Sequence, residues 1–143
     1  MTTETQIIGP VIALIAWSML MWIWMYATRI PAIQAAKMQL DSNAPRGEQM
    51  ATLPASVRWK ADNYTHLMEQ PTIFYALAIS LAVLGEGTGT NLWLAWTYVG
   101  FRIVHSLIQA LSNKILFRFI TFALSNIPLF WLTINAAIFL TRQ

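Results

Sequence analysis

The sequence predicts an all-α integral membrane protein built as a bundle of four transmembrane helices. Three observations carry that reading. Hydrophobic residues make up 57% of the chain and charged residues only 10%, too little charge to cover the surface of a soluble domain. The apolar residues gather into four stretches of about 20, each long enough to span a hydrocarbon core about 30 Å thick. The basic residues gather in two of the connections between them, and the positive-inside bias puts both connections on the cytoplasmic side.

The helices are expected at about 7–28, 57–84, 92–111 and 115–140, within one domain over residues 1–143. The first is almost wholly apolar and rich in Met and Trp. Pro31 discourages its straight continuation, although residues 32–40 can prolong it beyond the membrane. Residues 41–55, with Pro45, Gly47 and Pro54, form the one sizeable extramembrane loop, on the cytoplasmic side. Ser56 is expected to cap the second helix, which starts in water and enters the membrane near Lys60. The run Gly85-Glu86-Gly87-Thr88-Gly89-Thr90 has the composition of a phosphate cradle but no strand before it, and it reads as a tight turn. On the third helix, Gly100 is expected to admit a close neighbour. The fourth should bend at Pro128, with Ser125 and Asn126 satisfying freed backbone groups. Asn126 and Asn135 read as interhelical hydrogen-bond formers.

Topology follows from the charges. Arg29, Lys37, Arg46, Arg58 and Lys60 lie between the first two helices, and Lys114 and Arg118 lie at the junction of the last two. The other connection carries only Glu86, and the segment before the first helix only Glu4. The expected placement is therefore an integral, multi-pass protein of a bacterial inner membrane, with both termini on the non-cytoplasmic side. The start has no basic n-region and no small-residue cleavage site, so the first span is read as retained. This distribution also accounts for the net charge of +3 without a nucleic-acid-binding stripe. With no cysteine, the chain forms no disulfide, thiolate metal site or cysteine nucleophile. No metal is expected, and any catalysis uses other groups or a bound cofactor.

Two of the spans carry titratable residues at membrane depth. Asp62, His66 and Glu69 are spaced i, i+4, i+7, and Arg102, His105 and Gln109 are spaced i, i+3, i+7, so each set forms one stripe. In antiparallel helices the stripes face each other, with Glu69 level with Arg102, His66 with His105, and Asp62 with Gln109. Ionisable groups in a bilayer are costly and mark functional sites. At 1.5 Å per residue, Glu69 lies ~13 Å below Lys60 and Arg102 about as far below Leu111, so an ion pair between them is expected. It either glues helices or orients a ligand. The two histidines read as satisfied hydrogen-bonders or as axial ligands of a haem. Lys60, Lys114 and Arg118 surround the same mouth, which suits an anionic ligand or anionic lipid headgroups. Arg118, one turn into the fourth helix, projects towards the ladder.

Glu69-Gln-Pro-Thr-Ile-Phe74, Arg102-Ile-Val-His105 and Arg118 sixteen positions after Arg102 together resemble the MAPEG superfamily, the membrane-associated proteins of eicosanoid and glutathione metabolism. The resemblance is clearest from about Arg58 to Pro128. It implies a homotrimer of four-helix protomers, with sites between subunits that open to the cytoplasm and bind glutathione and a lipophilic small molecule. It implies that Arg118 stabilises the thiolate as the catalytic residue, since a cation beside a thiol favours its nucleophilic form. Glu69 matches the contact to the glutathione amine, Arg102 and His105 match a family pair, and Arg29 matches an arginine that reaches the glutathione carboxylate. The chain also departs from the pattern. Thr65-His66 stand where an Arg-Asn pair is found, Asp62 replaces another arginine, and Gln109 replaces a tyrosine. Two cationic anchors for a dianionic tripeptide are therefore absent. Two classes of function remain: a glutathione transferase or peroxidase acting on lipophilic electrophiles, and a non-catalytic lipid-binding trimer or accessory subunit of a membrane complex.

Overall fold

In this computed structural model, residues 5–142 are described; Glu4, counted above for topology, lies outside them. The chain forms α1 (Ile8–Ala35), α2 (Glu48–Ala51), α3 (Ala55–Glu69), α4 (Pro71–Val83), α5 (Gly89–Leu111) and α6 (Ile115–Thr141), with no strand among the described residues. Polarity is inverted relative to a soluble protein. Ile12, Leu20, Ile23, Phe119, Phe130 and Ile134 are exposed, while Asn63, Arg102, Ser106 and Gln109 are sealed inside. Such a surface is stable only in an apolar solvent. Helices α1 and α6 are long and apolar enough to cross a membrane, with mean hydropathies of 1.9 and 1.6 over their most apolar stretches.

Leu14 and Met21 of α1, Leu67 of α3, Phe74 and Leu81 of α4, Tyr98 of α5 and Leu132 of α6 form the buried core. Phe74 stacks on Tyr98 with ring centroids 4.5 Å apart. Polar bonds cross this core. Trp17 Nε1 and Asn63 Nδ2 both donate to Ser106 Oγ, at 3.0 and 2.8 Å, joining α1, α3 and α5 at one hydroxyl. The two asparagines of α6 bond between helices as expected: Asn126 Oδ1 accepts from Gln70 Nε2, and Asn135 Nδ2 donates to Asn91 Oδ1 at 2.7 Å.

Several local expectations are corrected. The helix expected over 57–84 is interrupted at Gln70, because Pro71 has no N–H to donate and its ring crowds the carbonyl four residues back. Gln70 keeps helical dihedrals (φ −64, ψ −38), so the chain bends there without reversing. Ser56 does not cap α3; the helix begins at Ala55 after Pro54, whose carbonyl accepts from Val57 and Arg58. Pro31 does not end α1, which runs on to Ala35. Gly100 has nothing within 4 Å of where a Cβ would stand, so it admits no neighbour from its own chain.

The glycine run is a turn, as its composition predicts. Glu86 N–H bonds Leu81 O and Gly85 N–H bonds Ala82 O, a Schellman closure of α4 with Gly85 left-handed at φ 79. Ile7 N–H then bonds Gly87 O at 3.1 Å, pinning the entry of α1 to this turn. At the other end, Asn113 adopts φ 50 and lets α6 fold back against α5 in the most extensive helix pairing of the molecule.

These two glycines make opposite demands. Gly85→Ala is expected to cost ~1–2 kcal/mol, the left-handed penalty alone, since its Cβ meets nothing. Gly100→Ala, in open helix, is expected to be neutral or to stabilise by up to ~1 kcal/mol. Thermal unfolding of the two variants in detergent measures both.

Candidate functional site

Arg102 has no exposed surface. Its Nη2 donates to the backbone oxygen of His66 at 2.9 Å, its Nη1 donates to Gln70 Oε1 at 3.2 Å, and Phe122 lies 5.8 Å from its guanidinium carbon. The expected ion pair with Glu69 is not formed. His66 lies in the last turn of α3, which ends at Glu69 before Pro71, and the carbonyls there carry the negative end of the helix dipole, an acceptor for a cation. Gln70 relays the contact to Asn126, so α3, α5 and α6 meet at one guanidinium. Sequence reasoning missed this arrangement although Pro71 signals it.

Glu69 is released to the wall of a cavity. Its side chain is 62% exposed and lies 3.5 Å from His66 Nδ1, a contact that becomes an ion pair only when that ring is protonated. The predicted register of the ladder holds, because the His66 and His105 rings meet edge to face with centroids 6.0 Å apart. His105 Nδ1 lies 3.0 Å from the backbone oxygen of Arg118. A carbonyl only accepts, so this nitrogen carries a hydrogen, while Nε2 is buried without a partner.

Asp62, Thr65, His66, Glu69, Gln109 and Arg118 line a cavity of about 340 Å³. Gln109 is 1% exposed, yet neither atom of its amide has a hydrogen-bond partner. Buried amides left unpaired are costly, and this one borders the cavity. Arg118 Nη1 donates to Asn113 Oδ1, while its Nε is buried without a partner. Asn113 thus ends α5 and positions Arg118, a role that spacing alone did not reveal. A second cavity, of about 410 Å³, shares His66 and Arg118 with the first and is otherwise lined by His105, Ile115, Phe119 and Phe122.

Arg29 lies apart from Arg118. It lines a cavity of about 240 Å³ with Gly47, Met50, Ala51, Arg58, Ala61 and Asp62, and its Nε is buried and unpartnered. Of the residues predicted for the site, the fold brings Asp62, His66, Glu69, Gln109 and Arg118 together around one cavity and His105 beside them. Arg102 sits behind that wall, and Arg29 reaches it only across Asp62. No group of three or more His, Asp or Glu suited to a metal ion occurs among the described residues.

An apolar helical exterior around a charged, partly unsatisfied cavity defines a helical membrane protein with an internal polar cavity. The chain belongs to the MAPEG family, whose model matches residues 7–138. No curated protein and no solved structure matches it.

Two predictions follow from the geometry. Arg102→Ala is expected to destabilise by ~3 kcal/mol or more, having lost two charge-assisted bonds, whereas Glu69→Ala, at an exposed pair, costs under ~1 kcal/mol. Equal losses would restore the ion-pair picture. Asn113→Gly keeps the left-handed turn and leaves the melting temperature nearly unchanged, while Asn113→Ala destabilises by the ~1–2 kcal/mol of left-handed strain and melts lower; comparison of the two melts separates the turn from the hold on Arg118.

Proposed function

We propose that this protein is a four-span, homotrimeric membrane enzyme that binds a thiol, glutathione or a related peptide, beside Arg118. It transfers the thiol to lipophilic electrophiles or uses it to reduce lipid hydroperoxides. The observation that carries this reading is Arg118 itself: its guanidinium is held by Asn113, keeps an unpartnered buried Nε, and forms a wall common to two cavities of different character. The polar cavity suits the thiol. The other, with Ile115, Phe119 and Phe122, suits an apolar electrophile arriving from the bilayer. A thiolate stabilised by Arg118 attacks the electrophilic carbon between the cavities, the C–S bond forms, and the leaving group departs with its electron pair. His66 and Glu69 orient the thiol ligand, and Arg102 holds the wall on which they stand.

An assembly of copies has support of its own. Glu69 is 62% exposed on a single chain, yet it stands ~13 Å beyond the level of Lys60 at 1.5 Å per residue. A carboxylate at that depth does not face lipid, so a neighbouring copy or a water-filled cleft between copies covers it. The placement with both termini on the non-cytoplasmic side follows from the basic loops and puts the Arg118 cavity at the cytoplasmic mouth.

One observation favours the non-catalytic alternative, a lipid-binding trimer or accessory subunit: two carboxylates, Asp62 and Glu69, face one guanidinium in the polar cavity. Turnover separates the readings. Purified protein is expected to conjugate glutathione to a chlorodinitrobenzene-type electrophile or to reduce a lipid hydroperoxide with it. Arg118→Ala should lower kcat by about 10²-fold or more, with melting and assembly unchanged. Absence of turnover, together with no thermal shift on adding glutathione, would sink the enzymatic reading.

A further inference from the structure

The bundle holds another cavity at the end opposite to Arg118. It measures about 440 Å³ and is lined by Glu86 of the turn between α4 and α5, Thr88 and Asn91 at the start of α5, Asn135 and Phe139 of α6, and Arg142 just beyond α6. Hydrogen bonds fix its floor. Asn91, only 6% exposed, accepts from Asn135 Nδ2 at 2.7 Å and donates from its own Nδ2 to the backbone oxygen of Glu86 at 2.9 Å. One buried amide therefore ties the turn, α5 and α6 together. By the charge bias of the loops, this end lies at the non-cytoplasmic surface of the membrane.

Glu86 and Arg142 line this one cavity with opposite charges, yet no ion pair within 4 Å joins them. The polar groups divide by sign. Glu86 offers a carboxylate, and Asn135 keeps its Oδ1 as a second acceptor, because its bond to Asn91 uses only the nitrogen. Arg142 offers a guanidinium, and Thr88 a hydroxyl that does not cap α5. An occupant carrying one positive and one negative group satisfies both charges, whereas a simple anion meets Glu86 and a simple cation meets Arg142. An apolar track leads away from the same cavity. Ile127, Trp131, Ile134 and Ile138 are exposed and spaced i, i+4, i+7, i+11, so they form one stripe along α6, and Ile138 itself lines the cavity. At 1.5 Å per residue the stripe is ~16 Å long, about half of a ~30 Å hydrocarbon core and so the depth of one leaflet.

We infer that this cavity and stripe form a site for one aminophospholipid of the non-cytoplasmic leaflet, whose primary ammonium rests on Glu86 and Asn135, whose phosphate rests on Arg142, and one of whose acyl chains lies along the α6 stripe. The chemistry of the headgroup is specified. A primary ammonium donates hydrogen bonds to a carboxylate and an amide oxygen, whereas the quaternary ammonium of a choline headgroup has no hydrogen to give. A glycerol headgroup has no positive charge for Glu86. The site stands apart from the thiol reading, because none of its lining residues borders either cavity at Arg118. A soluble phosphoethanolamine carries the same two charges without the acyl chain, so it is the competing source of this chemistry.

The test titrates the delipidated, detergent-purified full chain with phosphatidylethanolamine, phosphatidylcholine and phosphatidylglycerol of identical acyl chains, with bound lipid counted by native mass spectrometry. Wild-type protein is expected to bind the ethanolamine lipid about tenfold or more tightly than either of the others, the worth of a charge-assisted hydrogen bond. Glu86→Gln should bring that preference close to one, Glu86→Asp should keep much of it, and Arg142→Gln should weaken all three lipids alike and leave it standing. Because Glu86 and Arg142 are unpaired, these variants are expected to melt like the wild type in lipid-free detergent. Equal binding of the three lipids by wild-type protein would overturn the inference, as would a preference that survives Glu86→Gln. Glycerophosphoethanolamine, the headgroup without chains, is expected to compete at least a hundredfold more weakly than the lipid; equal competition would give the cavity to a soluble zwitterion and overturn the lipid assignment. A change of oligomeric state in Glu86→Gln would assign the cavity to a contact between copies and overturn it as well.

Discussion

The structure depends on a cation that has no carboxylate. Arg102 is wholly buried, and a guanidinium in that position must find acceptors within the protein, since neither lipid nor water reaches it. The chain supplies them by interrupting a helix. Pro71 breaks the ladder, the last turn of α3 offers the oxygen of His66, and the side chain of Gln70 adds a second acceptor while holding Asn126 of α6. In lipid, burial of apolar side chains does little to choose between helix arrangements, because the solvent is as apolar as the interface. Directional bonds therefore set the register, and this one sets it for three helices at once.

Relieving Arg102 of an ionic partner has a consequence for the cavity. Had Glu69 neutralised it, the ladder would have been a closed structural seam. Because helix carbonyls perform that task, Glu69 stands free at the wall with His66, level with His105 as the antiparallel spacing requires. The same economy recurs at Arg118. Asn113, whose left-handed backbone reverses the chain between α5 and α6, also accepts from the Arg118 guanidinium. Each of the two arginines is fixed by a neutral acceptor that the chain needed anyway at a break or a turn, and carboxylates remain available for something else.

What the sequence made legible and what it hid divide along physical lines. Spacing fixes faces and levels, so the facing stripes, their register and the cluster of Asp62, His66, Glu69, Gln109 and Arg118 could be read from one dimension. The family resemblance, drawn from Glu69, Arg102, His105 and Arg118, agrees with the family match across residues 7–138. Spacing does not say which of several acceptors at one level takes a donor. Opposite charges at equal depth pointed to Glu69 and Arg102, but the backbone competes for cations wherever a proline or a helix end frees a carbonyl. Pro71 marks the end of α3, but side-chain spacing carries no record of backbone acceptors. The position of Arg29 was hidden for a different reason: its place depends on how the 41–55 loop and α2 fold back beside α3, which no periodicity encodes.

Charge position also decides how the carboxylates of this site should be weighed. Counted as a sum, Asp62 and Glu69 against Arg118 make the cavity acidic, which argues against any anionic ligand. Interaction energies fall off with individual separations, however, so the charge nearest to a given point contributes the largest single share there. Asp62 and Glu69 stand about two helical turns apart, ~10 Å along α3, and one has His66 beside it while the other borders Arg29 and Arg58. The two carboxylates therefore mark two separate levels of the α3 wall, and neither alone sets the charge of the whole cavity.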